Sequence, residues 1–444
     1  AQGAMSIQAA AINASPRRHL SSRNFGSTPC SMSVLTRVRR LEGTEVASAV
    51  HHDLADCVVS NLLRIEPTIT LDNLRTAAYS LQCNFPILQA VLVHDETEVF
   101  FALDDASHVE ISEGDSDIQA VYEKEMHTPF TRGGLGWRLV SCGAHVILSY
   151  HHSFLDGSSF MLIVYELLNL LNSSCSPRER PQERFPVSAA ACLVDVTVCE
   201  QPSPPNHFVP APSKLVAAAG RRVRSLRLSC PADETGVLRG KCREQQVTMT
   251  GALGAAAVRA FETVFPSDGQ PLAVRTFVNI RSDCKLDPGT VGCYFSSVNA
   301  YLPVSLSFWE LAREYRSQIL NCITRRHHTQ EIHRGARSYN EHVLSMKRKM
   351  DDDNGNCCTN AVALSNCGAW QMRSGVLHKL ASCHWAVAPH KMPMGSYTVV
   401  NAVTIDGVLH VTLLSRQPTC SEADAAAFAH HFSEELKRAI SLSD

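Results

Sequence analysis

Apolar residues recur every three or four positions at Leu71, Leu74, Ala77 and Leu81, and that spacing predicts a helix over 71–82. Shorter apolar runs on either side, 59–64 (VSNLLR) and 87–93 (ILQAVLV), have the length of strands. Residues 136–142 (GWRLVSC) and 145–150 (HVILSY) are parted only by Gly143-Ala144, which predicts a hairpin. The run at 160–171 (FMLIVYELLNLL) has the length and residue types of a buried helix. The first half of the chain is therefore expected to mix α and β.

The pattern lapses between 173 and 214, where eight prolines stand in a stretch without sustained period. It reads as a linker between an N-terminal lobe (6–172) and a C-terminal lobe (215–444). Beyond it, strands are expected at 222–229, 272–280 and 293–303, a helix from 231, and an Ala-rich helix at 250–264 entered through Thr248-Met249-Thr250. Phe308, Leu311, Ala312, Tyr315, Ile319 and Ile323 form one stripe along a helix at 307–323, read as core. Residues 324–360 are polar, with KRK meeting DDD at 347–353, and are expected to form an irregular insertion or solvated loop. A short strand at 361–368 (AVALSNCG) precedes a hairpin at 396–416 that turns on Asp406-Gly407. The last helix is expected to begin with Thr419 and Glu422 in capping-box spacing and to end near Ile440.

A chain of 444 residues exceeds the size at which one hydrophobic core keeps growing, so two domains of roughly 200 residues each are expected. A net charge of −2 leaves no electrostatic footprint for nucleic acid or an anionic membrane. There is no uncharged apolar span of 18 residues and no basic segment leading into an apolar one at the N-terminus, so a cytoplasmic protein is expected. The 17 cysteines are odd in number, scattered and without CxxC spacing, which fits buried thiols in a reducing compartment. In RRHHTQEIH (325–333), His328 and Glu331 fall one helical turn apart, but a third ligand is missing and no metal is expected. The opening AQGAM looks like a cloning scar before Met5.

Two stretches share a skeleton of paired histidines and an aspartate, HHDLADC at 51–57 and HHSFLDG at 151–157. With 20 His and 20 Asp in 444 residues, about one HxxxD is expected by chance, so the flanks must separate them. The first copy lies in a helical period that makes His52 and Asp56 an exposed i,i+4 pair, and it reads as the accident. In the second, His152 stands where a strand stops and a turn through Asp156-Gly157 enters a buried helix. A neutral imidazole held there can act as a general base on a hydroxyl or amine. Asp156 either orients that ring or pins the turn; the neighbouring Gly157 favours the second role, with an arginine as partner.

HHSFLDG resembles the HHxxxDG signature of the chloramphenicol-acetyltransferase-like superfamily, which includes condensation domains, alcohol acetyltransferases and BAHD acyltransferases. PFTRGGLGWRLV (129–140), QQVTMTGALGAAAVRAF (245–261), VNIR (278–281), VGCYFSS (291–297), SFWELAR (307–313) and LSNCG (364–368) follow in the order such proteins show. The resemblance implies an α/β fold of two lobes, each a mixed sheet flanked by helices, facing across an active-site tunnel, with a crossover segment near 370–395. It implies that His152 is the base and that Asp156 pairs with Arg281, with His151 and Gly157 shaping the site. Ser365, Asn366 and Ser396 are substrate-side candidates by position. The BAHD motif DFGWG is absent, HWAVAPHKMPMG standing in that region (384–395), and no carrier-protein or adenylation segment is seen. The expected activity is that of a free-standing acyltransferase moving an acyl group from acyl-CoA to a small-molecule hydroxyl or amine in a ternary complex. No cofactor beyond the thioester is expected. A condensation-type enzyme fed by a carrier protein, and a non-catalytic binding module of the same fold, are the alternatives.

Overall fold

Alternating apolar residues and tight turns give the first half of the chain its strands. The computed structural model describes residues 35–173, 184–193, 201–202, 206–212, 220–334, 338–352, 358–389, 391 and 395–441. The opening AQGAM and much of the proline-rich linker lie outside them. The first half runs β1 (Thr36–Arg40), α1 (Thr44–Ala55), β2 (Val59–Glu66), α2 (Leu71–Asn84), β3 (Ala90–His94), β4 (Val99–Leu103), β5 (Glu110–Glu113), α3 (Ile118–Met126), β6 (Trp137–Cys142), β7 (His145–Tyr150) and α4 (Gly157–Leu171). Gly143, at φ 60°, supplies the left-handed residue that turns β6 into β7. Thr70 Oγ1 accepts from Asn73 N at 3.2 Å and starts α2 where the period predicts it.

The second half follows a short α5 (Ala189–Cys192) and runs β8 (Arg222–Cys230), α6 (Ala232–Glu244), α7 (Met249–Val264), β9 (Leu272–Asn279), β10 (Phe295–Leu302), α8 (Phe308–Thr324), α9 (Thr329–Arg334), α10 (Tyr339–Asp352), β11 (Asn360–Trp370), β12 (Lys379–Val387), β13 (Ser396–Ile405), β14 (Val408–Gln417) and α11 (Glu422–Ser441). Thr248 caps α7, its hydroxyl accepting from Gly251 N at 3.1 Å, and Ser307 with Glu310 forms the capping box of α8. Asp406 and Gly407, at φ 47° and 89°, close the β13–β14 hairpin as their sequence dictates.

Two mixed sheets result, ordered β12-β2-β7-β6-β5 and β10-β9-β11-β13-β14-β8, beside a small sheet β1-β4-β3. In the larger sheet β11 runs parallel to both neighbours while the outer pairs are antiparallel. β12 leaves the second half and pairs antiparallel with β2, from Lys379 opposite Glu66 to Val387 opposite Val59. One core, including Leu63, Leu81, Leu148 and Ile163, lies between the first sheet and α2 and α4; another, including Leu253, Phe261, Val362 and Phe432, lies between the second sheet and α7, α8 and α11. With β12 shared between them, residues from Leu35 onward form a single compact unit.

Several elements differ from the sequence expectations. The apolar run 87–93 is split: Pro86–Gln89 form a 3-10 turn, for which proline's fixed φ is suited, and β3 begins at Ala90. Residues 324–360 are not an irregular loop, since α9 and α10 occupy most of them. α10 is polar along most of its length and rests on α1, so no apolar period marks it. The last helix starts at Glu422 rather than near Thr419. Ser421 Oγ accepts from Asp424 N at 3.0 Å and donates to Asp424 Oδ2 at 2.6 Å, while Thr419 is buried ahead of the helix. β1, β4, β5 and α3 have no counterpart in the sequence expectations; β5 is a short strand of three exposed polar residues around Ile111. All described cysteines are free thiols.

Candidate active site

β7 ends at Tyr150, and the chain turns through 151–156 before α4 begins at Gly157. Asp156 caps that helix, its Oδ1 accepting from Ser159 N at 2.7 Å. The same carboxylate takes both arms of Arg281, Nη2 to Oδ1 at 3.0 Å and Nη1 to Oδ2 at 2.9 Å, and its Oδ2 also accepts from Tyr294 N at 2.7 Å. Arg281 is braced by donating from Nε to Thr290 O at 2.9 Å and from Nη1 to Asn279 Oδ1 at 3.1 Å. Asp156 and Arg281 are each only 3% exposed, so this is a buried, bidentate, fully bonded pair. It ties the turn of the first half to the β9–β10 connection of the second. The carboxylate's hydrogen bonds go to the turn, the arginine and Tyr294, and none goes to His152.

Gly157 has a steric reason for being glycine: a Cβ there would come 2.6 Å from Cys367 Sγ on β11. The motif's glycine therefore lets the two halves close on each other.

His152 is oriented by its own turn. Its Nδ1–H donates to Leu155 O at 3.1 Å, a tautomer fixed by the carbonyl, which can only accept, and Nε2 keeps its lone pair. The ring stacks on Phe295, with centroids 4.8 Å apart and planes at 18°. Burial pushes its pKa below the ordinary histidine value, against the opposing pull of the Leu155 carbonyl and the Asp156 carboxylate. His152 lines a cavity of about 240 Å³ whose walls come from both halves of the chain.

The first histidine pair is not an exposed accident, which corrects the sequence reading. α1 is buried on nearly every side, and Ser153 Oγ anchors it to the 151–156 turn by donating to Glu45 O at 2.7 Å. His52 is 7% exposed; its Nδ1 donates to Asp53 Oδ1 at 3.2 Å, its Nε2 accepts from Phe130 N at 3.0 Å, and its ring packs 4.3 Å from that of His151. Asp56 is not its partner: it sits in the left-handed region at the end of α1 and pairs with Lys391. His151 is buried, accepts from Ser153 N through Nδ1 at 3.2 Å, and is held far below the ordinary histidine pKa by burial, with the His52 ring adding to the effect. His51 lines the same cavity as His152. Burial, reinforced by the nearby Arg275 charge, lowers the His51 pKa to about 3. The two HH pairs thus lie against each other, one member of each in the packing and one member of each on the cavity.

Of the substrate-side candidates, Ser365 and Ser396 line the cavity and Asn366 does not. Successive side chains on a strand point to opposite faces, so β11 cannot present both 365 and 366. Asn366 instead donates to Thr250 Oγ1 at 3.1 Å and accepts from Gly368 N at 3.0 Å. Ser396 Oγ and Trp385 Nε1 are buried on the cavity wall with no hydrogen-bond partner among the described residues. His51, Arg275, Trp385 and Arg416 were not singled out from sequence. The one available signal was a charged Arg275 in the otherwise apolar strand LAVRTFVNI.

Solved structures share this architecture over nearly the whole chain. Polyketide synthase associated protein 5 from Mycobacterium tuberculosis aligns with a TM-score of 0.68 and 14% identity, covering 92% of this chain and 99% of that one. The epimerization domain from the third module of tyrocidine synthetase B gives 0.64 and 13%, covering 92% and 99%. The TRI3 trichothecene 15-O-acetyltransferase from Fusarium sporotrichioides gives 0.66 and 11%, covering 91% and 96%. The fold is the chloramphenicol-acetyltransferase-like fold. No family model matches the chain, and no curated protein sequence matches it. Within a chloramphenicol-acetyltransferase-like fold, the cavity bearing His152 lies where the two sheet-and-helix halves meet. Among the described residues no helix is long and apolar enough to cross a membrane.

Buried neutral histidines give this structure a defined acid response. His51 is lowered to about 3, and His384 on β12, edge-on to His410 on β14 at 5.3 Å, to about 3 with His410 at about 4. Each takes up a proton near 6.5 when unfolded but resists it when folded, so below about pH 6.5 the unfolded chain binds more protons. Stability is therefore full above that value and is lost as pH falls through it toward 4. Melting temperatures across this range should fall steadily below pH 6.5; a flat profile down to about pH 4.5 would contradict the burial of these rings.

Proposed function

We propose that this protein is an acyltransferase that moves an acyl group from acyl-CoA to the hydroxyl or amine of a small-molecule acceptor. Support comes first from His152: its Nδ1–H is committed to Leu155 O, which leaves Nε2 as the basic nitrogen, and the residue lines a cavity with walls from both halves. A neutral imidazole so held takes the acceptor's proton at Nε2 as the oxygen or nitrogen attacks the thioester carbonyl. The C–S bond then breaks, and the departing thiolate recovers the proton from His152. Both substrates meet in one complex, without an acyl-enzyme.

The tetrahedral oxyanion needs donors, and the two orphaned ones on the wall, Ser396 Oγ–H and Trp385 Nε1–H, supply them. Leaving a buried donor unpaired costs about 1–3 kcal/mol, a cost that is recovered when a bound acceptor atom satisfies it. Phe277, Phe295, Val387, Val399 and Leu414 line much of the rest, keeping water from competing for the acyl group.

A carrier-protein thioester is the second donor to consider, because a synthetase epimerization domain and a polyketide synthase associated protein share the fold. The test is product mass spectrometry on the full chain, given a panel of acyl-CoAs, the same acyl groups on a phosphopantetheinylated carrier, and mixed alcohol and amine acceptors. Acylated acceptor from acyl-CoA supports the proposal. Product from the carrier alone moves the donor assignment, and intact thioesters with no product in any arm would refute acyl transfer.

A further inference from the structure

The cavity presents hydroxyls and neutral rings but no carboxylate. Among the described residues that line it none is Asp or Glu, and its titratable members are His51, Cys57, His152, Arg275, Tyr397 and Arg416. Burial keeps Cys57 a thiol, its pKa pushed up to about 12, and Tyr397 donates its hydroxyl to Thr419 O at 3.0 Å. Arg275 and Arg416 have partners of their own, Arg275 Nε donating to Ser297 Oγ at 3.0 Å, and a guanidinium offers an ammonium ion no counter-charge.

Three carboxylates adjoin lining residues in the sequence, and each is already matched to a cation. Glu45, beside Thr44, takes both arms of Arg39 at 2.7 Å. Asp56, beside Cys57, pairs with Lys391, and Asp156, beside Gly157, pairs with Arg281. The two histidines feel the consequence: burial lowers the pKa of both, to about 3 for His51, so each stands in the cavity as a neutral ring. A cation brought here from water loses its hydration with no opposite charge to replace it.

The protons then separate the two kinds of acceptor. A hydroxyl gives one proton to His152 Nε2 as its oxygen attacks the thioester, and the departing thiolate takes that proton away; alcohol and thioester become ester and thiol. An alkylammonium has two protons to lose on the way to an amide. The thiolate carries off one, but the other must be shed before attack, because it occupies the nitrogen lone pair. No carboxylate lines the cavity to accept it. At neutral pH only about one in 10³ molecules of such an amine is already uncharged.

We infer that the acceptor group is a neutral hydroxyl and the product an ester, the cavity excluding alkylammonium acceptors for want of a carboxylate. Ser48 on α1 and Ser365 on β11 line the same space, and their hydroxyls can donate to or accept from a neutral acceptor. This inference rests on the acyl-transfer reading, with His152 as the base.

The test is a set of three acceptors of one size: 2-phenylethanol, 2-phenylethylamine and O-benzylhydroxylamine, whose amino group is uncharged at neutral pH. Each is given to the full chain with the thioester that the product screen above selects, and rates are corrected for enzyme-free aminolysis. The ester should form about 100-fold or more faster than the phenylethylamide, and the uncharged hydroxylamine should react within about tenfold of the alcohol. Ser365→Asp, which places a carboxylate in the cavity, should raise the ratio of phenylethylamide to ester about tenfold or more. Phenylethylamide formed by wild type as fast as the ester overturns the inference, as does the absence of ester, without any variant having to fold. Rejection of the hydroxylamine together with the alkylamine overturns it too, since charge would then not be what is excluded, and so does an unchanged ratio in a Ser365→Asp protein with wild-type circular dichroism. Amide made in preference to ester sinks only this inference, whereas intact thioester with every acceptor, here and in the screen, sinks the function proposed above.

Discussion

The His152→Ala protein should keep its far-UV circular dichroism and its melting temperature while kcat falls roughly 10²–10⁴-fold, the range a positioned general base contributes. The substitution removes a ring that stacks on Phe295 and bonds only to the carbonyl of its own turn, so little of the fold depends on it. The Asp156–Arg281 pair, which does hold the turn, is left whole. Saturating acceptor should not restore the rate, because the loss lies in the chemical step rather than in binding. Turnover within about threefold of wild type would remove His152 from the mechanism.

Arg281→Ala should act in the opposite sense, costing the fold first. It leaves the Asp156 carboxylate buried with only its backbone donors, and removing one partner of a buried pair costs roughly 3–5 kcal/mol. Urea denaturation should show the midpoint shifted down by that free energy divided by an unchanged slope, and activity should fall because the 151–156 turn loosens. Arg281→Lys should recover only part, since an ammonium cannot reproduce the two-armed contact. A midpoint equal to wild type for Arg281→Ala would show that the pair does not hold the turn.

Much of the fold was legible where a local rule and the tertiary structure agree. Asp406-Gly407 needs two left-handed residues, Thr248 offers a cap before an apolar helix, and Gly143 closes a hairpin; each signal is complete within a few residues. The histidine pair at 151–152 was legible for a related reason, standing at a strand end ahead of a capping aspartate.

What stayed hidden depends on contacts between distant segments. α1 reads as half-exposed by period, yet Glu45, Ser48 and His52 are buried because the turn at 151–156 and α10 cover its other sides. The cavity's Arg275 is spaced like any strand residue, and its neighbours Phe295 and His51 are remote in sequence. Asn366 was misplaced by one position, the whole difference between a cavity wall and the back of β11.

β12 closes the edge of a strand made roughly 300 residues earlier. At a synthesis rate of about 5–20 residues per second, β2 waits on the order of 15–60 s on the ribosome with its outer backbone groups unpaired. During that interval the nascent N-terminal half presents an open template for other chains, and it is then that it most needs a chaperone.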